Sequence, residues 1–385
     1  MKLLDALLGG DLSVIAEFKR RSPSMGDIRP DARIEDIVPA YERGGASAIS
    51  VLVDERFGGN VDDLRAARAV TALPMLAKGF FSTEEHLRDV REAGADAALL
   101  ILRDLDDETT RRLVKYALDL GLDPLLEAHN EAELDRADAF GGVIGVNARD
   151  LSTFGIDRSE QLRLIGLQDL AAVVVAESAI HSRVQAAEAQ LAGADAVLVG
   201  TSLMQSSDPE AKLRDLLLRP LVKVCGLTRQ EDVDAAVEAG ADMLGFIFVE
   251  GSPRQAPAVL DVPDTALSVA VFVDKAEDRG ADLVQVYEPE ERKVRGRFGY
   301  LSHSLSPNYG LTVWDQPWDK SDPDHWKTAP SDTPFVLAGG LGPENVREAI
   351  ETVRPWAVDA SSALESEPGI KDRDRVRAYV EAARG

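Results

Sequence analysis

Apolar residues gather along this chain in short runs, and each run ends at a polar or glycine-rich segment. In the first half the runs occupy 14–19, 48–54, 74–78, 96–102, 124–129, 143–147, 173–178 and 195–200. Runs without strict alternation mark strands covered on both faces. The stretches between them have room for one helix each, as at 83–93 and 182–192, which is what a parallel crossover needs. Eight strand–helix units in about 200 residues predict a closed barrel of the TIM type. An open doubly wound sheet is the alternative. No Gly-x-Gly-x-x-Gly turn follows the first strand, which counts against it.

The pattern restarts after Arg219-Pro220. Runs at 222–228, 243–249, 268–274, 283–287, 298–301, 311–315, 335–340 and 357–362 again number eight. In the middle of this half the spacing is tight. Only residues 275–282 separate two runs, where a parallel crossover takes about a dozen. The segment 316–327 is rich in Asp, Pro and Trp. The expected architecture is therefore α/β, two consecutive TIM (β/α)8 barrels, the second with shortened or missing helices in its middle. The domains are expected at 1–218 and 219–385.

Composition narrows the function classes. Hydrophobic residues make up 45% of the 385, enough for full cores, and no run is long enough to span a bilayer. The first ten residues read as an amphipathic helical turn and not a secretory signal, because Asp5 interrupts the apolar run. A single cysteine, Cys225, excludes an intrachain disulfide and fits a reducing cytoplasm. The net charge of -24 argues against general nucleic-acid binding. No Cys/His cluster has metal-ligand spacing and no nucleotide-binding loop occurs, so no cofactor is expected. Nothing in the pattern specifies an oligomeric state.

The candidate chemistry lies at strand ends. Glu17 and Lys19 sit two apart and share one side of the first strand. Lys78, Glu127, Asn147 and Glu177 close other strands, with Ser178 beside the last. Each alone is an ordinary rim residue. Together they converge on one barrel mouth, where such folds place their catalytic groups. Gly200-Thr201 opens a helix after the eighth strand, a place suited to a phosphate. Lys19, Arg20, Arg21, Lys78 and Arg149 form the cationic set expected to attract it. Of five histidines only His129 lies on a site strand, and it is read as packing in the mouth without a catalytic role. In the second half Cys225 is most simply a buried strand residue. Its place at a strand end, before Gly226, also suits a thiolate base if its pKa is lowered.

Residues 14–217 resemble indole-3-glycerol phosphate synthase. The resemblance is carried by Glu17-Phe18-Lys19-Arg20-Arg21-Ser22-Pro23-Ser24, Phe57-Gly58-Gly59, Leu76-Ala77-Lys78, Leu126-Glu127-Ala128-His129, Gly145 to Leu151, Glu177-Ser178 and Val199 to Met204. It implies a decarboxylating ring closure of a carboxyphenylamino-deoxyribulose phosphate. Lys78 would act as general acid at the ketone, Glu127 as the second proton-transfer group, and Lys19 as holder of the substrate carboxylate. Glu17 and Asn147 would position hydroxyls and lysines, and Glu177 and Arg149 would line the pocket. Ser22, Ser178, Gly200 and Thr201 would hold phosphate. Gly79 and Ala179 depart from the family pattern, which has aspartate and glycine there, and the family usually carries a longer segment before the first strand.

The second half resembles phosphoribosylanthranilate isomerase. The motifs are Lys223-Val224-Cys225-Gly226-Leu227-Thr228, Ser252-Pro253-Arg254, Leu337-Ala338-Gly339-Gly340-Leu341 and Val358-Asp359-Ala360-Ser361-Ser362. The implied reaction is an Amadori rearrangement of an aminoaldose phosphate. Cys225 would be the base, Asp315 the acid, and Arg254 the holder of the anthranilate carboxylate. Gly339, Gly340, Ser361 and Ser362 would bind phosphate, although Ala363 stands where a glycine is usual. Both substrates are small sugar phosphates; neither nucleic acid nor membrane is implied. Two alternatives stay open: synthase activity alone, with the second barrel a structural or docking domain, or an isomerase for a related aminoaldose such as one from histidine synthesis.

Overall fold

The computed structural model describes all residues except 1, 10, 11, 23, 24, 150–154, 168–171, 274, 288–296, 304–309, 317–321, 323 and 330–332, and only the backbone at 297–299 and 303. Pro23, Ser24, Asp150, Leu151 and Asp274, quoted above in motifs or runs, therefore lie outside the described residues, as does much of 316–327. The chain forms two compact units, Met1–Leu217 and Leu218–Gly385.

The strands of the first unit are Ser13–Phe18 (β1), Ala48–Leu52 (β2), Met75–Lys78 (β3), Ala97–Ile101 (β4), Asp123–Ala128 (β5), Val143–Asn147 (β6), Val173–Glu177 (β7) and Ala196–Val199 (β8). They pair in parallel in chain order, and β1 closes the ring against β8. Its helices are Leu3–Leu7 (α1), Ile34–Gly44 (α2), Val61–Arg68 (α3), Glu84–Glu92 (α4), Asp107–Asp119 (α5), Glu131–Asp138 (α6), Arg158–Gly166 (α7), Arg183–Ala192 (α8), Thr201–Gln205 (α9) and Pro209–Leu217 (α10). Short polar side chains start them: Asn60, Thr83, Asp106, Asn130, Asp157 and Ser182 each accept a backbone N–H of the first turn.

Alternate strand positions serve two cores. Val14, Ala16 and Phe18 pack outward under the helices, while Ile15 joins Leu76, Leu99, Leu125, Val175 and Leu198 inside the ring. Leu3 and Leu7 of α1 belong to that inner cluster, so this short helix stops the end of the ring opposite the strand C-termini. Its anchorage includes a hydrogen bond of 3.2 Å from the Leu4 backbone N–H to Asp123 Oδ2 at the start of β5. The inner positions nearest the other rim are Glu17, Lys78, Glu127 and Glu177, so the chemistry begins where the apolar filling ends.

The second unit also closes, through Leu221–Cys225 (β9), Met243–Ile247 (β10), Leu267–Phe272 (β11), Leu283–Tyr287 (β12), Arg297–His303 (β13), Leu311–Asp315 (β14), Phe335–Leu337 (β15) and Ala357–Ala360 (β16). Among the described residues its helices are Gln230–Glu238 (α11), Val346–Val353 (α12) and Arg373–Arg384 (α13). The shortened middle expected from spacing is present, and it brings a departure from an all-parallel ring. β13 runs antiparallel to both β12 and β14. The links 288–296 and 304–310 are shorter than a crossover requires, whereas hairpins need only a few residues. Side chains of the segment before β15 help to cover the ring there. Trp326, 3% exposed, fills the outer core beside Phe335 and Leu337, and the Trp314 indole N–H reaches the His325 carbonyl at 3.3 Å.

Candidate active site

The C-terminal rim of the first ring encloses a cavity of about 310 Å³. Glu17, Lys19, Ser22, Lys78, Glu127, Asn147, Arg149, Ser178, Gly200 and Thr201 all line it. The apolar wall includes Leu52, Phe57, Phe80, Leu99, Ile101 and Ile180. Lys78 is the hub. Its Nζ lies 2.5 Å from Glu177 Oε2 and 3.6 Å from Glu17 Oε2, while Lys19 Nζ lies 2.9 Å from Glu17 Oε1. Burial works against the Lys78 ammonium, but Glu177, Glu17 and Glu127 outweigh it and hold its pKa well above the usual lysine range. Burial likewise opposes the Glu17 carboxylate, and Lys19 and Lys78 reverse that effect, leaving it below the usual range.

Glu177 departs from the expected place. It is fully buried and is not among the residues that line the cavity, and its carboxylate is engaged by Lys78. Burial pushes its carboxyl up to about 7; Lys78 opposes the rise and the Glu127 charge adds to it. Gly145 on β6 makes the room. A Cβ there would lie 2.0 Å from Glu177 Oε1, so no larger residue fits beside this carboxyl. Gly145→Ala should cost about 1–3 kcal/mol of stability by overpacking. Thermal melts of the full chain check this.

Two expected cations are engaged elsewhere. Arg20 makes a bidentate pair with Asp63, at 2.8 and 3.0 Å, and lies over the Phe18 ring. Arg21 is exposed and paired with Asp27 at 2.6 Å. Lys19, Lys78 and Arg149 are the members of that set that line the cavity. At the anion end, Gly200 and Thr201 begin α9, which has only five residues. It therefore offers a few free N–H groups and little dipole. Ser178 and Ala179 take left-handed backbone angles, φ 69° and 55°. A non-glycine residue there costs about 1–2 kcal/mol. Ala179→Gly would relieve that strain but adds freedom to the unfolded chain, so the expected net change in stability is below about 1 kcal/mol. Denaturant midpoints test this, and a larger shift in either direction contradicts it.

His129, expected to pack in the mouth without a catalytic role, is not among the residues that line the cavity. It follows β5 and stands between two carboxylates, with Nε2 3.2 Å from Glu127 Oε1 and Nδ1 3.1 Å from Glu133 Oε2. The signal was available: a histidine two after a strand-end glutamate and four before another, with Asn130 and Glu133 spaced as a helix cap.

In the second unit a cavity of about 690 Å³ is lined by Cys225, Arg254, Asp315, Gly339, Gly340, Ser361 and Ser362, every residue named for that half. Burial pushes the Cys225 thiol up; Lys223 counters part of this and Asp359 adds to it. Lys223 Nζ and Asp359 Oδ2 form a buried pair at 2.7 Å beneath the thiol. Asp315 is held by the Tyr287 hydroxyl, which donates to Oδ2 at 2.8 Å, and Gln285 Nε2 donates to that hydroxyl at 3.0 Å. Arg254 is already bidentate to Glu365 through Nε and Nη2, both at 2.8 Å, and Lys371 Nζ lies 3.0 Å from the same carboxylate.

Two closed α/β rings, each with ionisable side chains gathered at the rim of the strand C-termini, define the chain as a pair of TIM-type barrels. The model of the family described as "Indole-3-glycerol phosphate synthase" matches residues 1–216, and that of "N-(5'phosphoribosyl)anthranilate (PRA) isomerase" matches residues 322–382. The chain belongs to the indole-3-glycerol phosphate synthase family, and its second unit carries the isomerase match. An indole-3-glycerol phosphate synthase of Streptomyces griseus is 45% identical over 55% of this chain and 80% of that protein. A multifunctional tryptophan biosynthesis protein of Phycomyces blakesleeanus is 30% identical over 97% of this chain. The chain spans 62% of that relative's length, and 59% of a Schizosaccharomyces pombe relative of the same description. The crystal structure of phosphoribosyl anthranilate isomerase from Thermotoga maritima is similar at 27% identity and TM-score 0.37, covering 43% of this chain and all of that one. No helix of the described residues is long and apolar enough to cross a membrane.

Proposed function

We propose that the chain catalyses two reactions of tryptophan synthesis. The first unit closes the ring of 1-(2-carboxyphenylamino)-1-deoxyribulose 5-phosphate, releasing carbon dioxide and water to give indole-3-glycerol phosphate. The second isomerises N-(5-phosphoribosyl)anthranilate. One observation carries the reading: the buried, doubly paired Lys78 ammonium at the floor of a cavity with an aromatic-sized apolar wall and an amide-lined anion end.

In the first unit the aromatic carbon attacks the ketone carbon, and Lys78 protonates the developing alkoxide. Its neighbouring carboxylates keep that proton available. Lys19, anchored by Glu17, meets the substrate carboxylate before carbon dioxide leaves. Glu127 accepts the proton lost from the methylene carbon beside the new bond as the hydroxyl, taking up a proton from solvent, departs as water. Asn147 Oδ1, which accepts the Arg149 backbone N–H at 2.9 Å, keeps Arg149 at the rim. Ser22, Ser178, Gly200 and Thr201 hold the phosphate. In the second unit Cys225 removes the sugar C2 proton and Asp315 protonates the ring oxygen as it opens. Gly339, Gly340, Ser361 and Ser362 hold that phosphate, and Arg254, steadied by Glu365, presents its remaining edge to the anthranilate carboxylate.

A pair of steady-state assays on the purified chain, one per substrate, tests the reading. Turnover of both substrates is expected. Synthase turnover with a silent second unit would instead support the single-activity alternative.

A further inference from the structure

Glu127 and Glu177 face the same ammonium from neighbouring parts of the rim, yet proton transfer at Glu127 needs that carboxylate charged. What separates the two is His129. Both its ring nitrogens meet carboxylate oxygens, at 3.2 Å from Glu127 and 3.1 Å from Glu133, and the imidazole is nearly enclosed, 10% exposed. The Nδ1 contact with Glu133 is a hydrogen bond, whereas Nε2 and Glu127 Oε1 approach without hydrogen-bond geometry, so what draws them together is a charge pair, which only the imidazolium supplies. Glu133 is itself fixed. Asn130 Nδ2 donates to Oε1 at 2.8 Å, the His129 backbone N–H donates to Oε2 at 2.9 Å, and the Glu133 N–H donates back to Asn130 Oδ1 at 3.0 Å. The cap of α6 thus holds a carboxylate whose second oxygen faces the imidazole. Glu177 has no such cation beyond Lys78; its Oε1, like Glu127 Oε1, is buried without a hydrogen-bond partner among the described residues, so what distinguishes the two carboxylates is the neighbouring imidazole.

We propose that His129 is a positioning residue for the synthase reaction. As an imidazolium clamped between Glu133 and Glu127, it makes Glu127, and not Glu177, the proton-accepting carboxylate of the mouth. The charged groups facing this cluster are Glu133 from α6, Lys78 from β3, Glu177 from β7, and Glu17 and Lys19 from β1. Titration behaviour agrees. Burial opposes the imidazolium, but Glu127 and Glu133 outweigh it and push its pKa up to about 9. Burial also opposes the Glu127 carboxylate, and His129 and Lys78 reverse that, holding it below the usual range, while Glu177 rises to about 7. Pairs of carboxylates driven apart in this way divide acid and base roles between them.

The catalytic part of this proposal rests on the synthase reading; the charge state of His129 does not. Two measurements on the full chain separate them. The first is an NMR titration of the histidine ring protons, with the His129 signal assigned by its loss in His129→Gln. A midpoint near 9, falling by at least one unit in Glu133→Gln, is expected. A midpoint at the ordinary value near 6.5 overturns the proposal whatever the activity. The second is the pH profile of synthase kcat for wild type and His129→Gln. Without the imidazolium Glu127 gains its proton at higher pH, so the acidic limb should move up by at least one unit. The loss at pH 6 should exceed the loss at pH 8.5 at least tenfold. A uniform loss at every pH, or unchanged limbs, marks a merely structural histidine and overturns the assignment.

Discussion

Lys78→Ala is expected to lower synthase kcat about a thousandfold or more while leaving isomerase turnover unchanged. General acid catalysis alone contributes about 10²–10⁴-fold. The structure adds a second penalty, because Lys78 is the cation between Glu17 and Glu177. Removing one partner of a buried pair costs about 3–5 kcal/mol when the other stays charged. Glu177 escapes part of this by taking a proton. Its pKa in the folded chain, already raised to about 7, rises further without Lys78. A carboxyl with a raised folded pKa gives stability that is complete below its unfolded value, near 4.5, and is lost as pH climbs through the folded value. The variant should therefore lie closest to wild type in acid and fall furthest behind in alkali. Thermal melts at pH 6 and pH 8.5 read this directly. An equal deficit at both pH values would sink the assignment of the proton to Glu177, and wild-type turnover would sink the role of Lys78.

Cys225→Ala is expected to lower isomerase kcat by about 10²–10⁴-fold, the contribution of a positioned base, with synthase kinetics unchanged. The thiol is buried and raised in pKa, so a minor thiolate fraction does the work and the alkaline side should favour wild-type turnover. Lys223 and Asp359 remain paired in the variant, so the fold should survive. Parallel assays of both substrates and a melting curve test this. Isomerase turnover surviving the change at full rate would remove the thiol from the mechanism.

The two rings were legible because strands buried on both faces leave continuous apolar runs. The charged groups were legible because an inward strand end is where Lys78, Glu127 and Glu177 can be both ionisable and close. What spacing hides is who already holds whom. Arg20 reads as a free cation until Asp63, 43 residues away, is seen to grip it through two hydrogen bonds. Glu177 reads as a wall residue until Gly145 is seen to open a recess for it. His129 reads as filler until its ring is seen to bridge two carboxylates from different elements. The direction of β13 was hidden for another reason. Run spacing sets how many strands exist, but the short links on either side set which way a strand points, and the apolar runs themselves do not encode direction.

That reversed strand changes how the second ring's rim is to be surveyed. For the neighbours of β13, the last residues, Tyr287 and Asp315, mark the working edge. In β13 the backbone of the first residue, Arg297, stands level with Asp315, and His303 sits at the far end beside Leu283. Mutagenesis that scans strand termini by the usual rule would sample the wrong end here. By backbone register, positions 297 and 298 stand level with the working edge, and 302 and 303 stand at the opposite end.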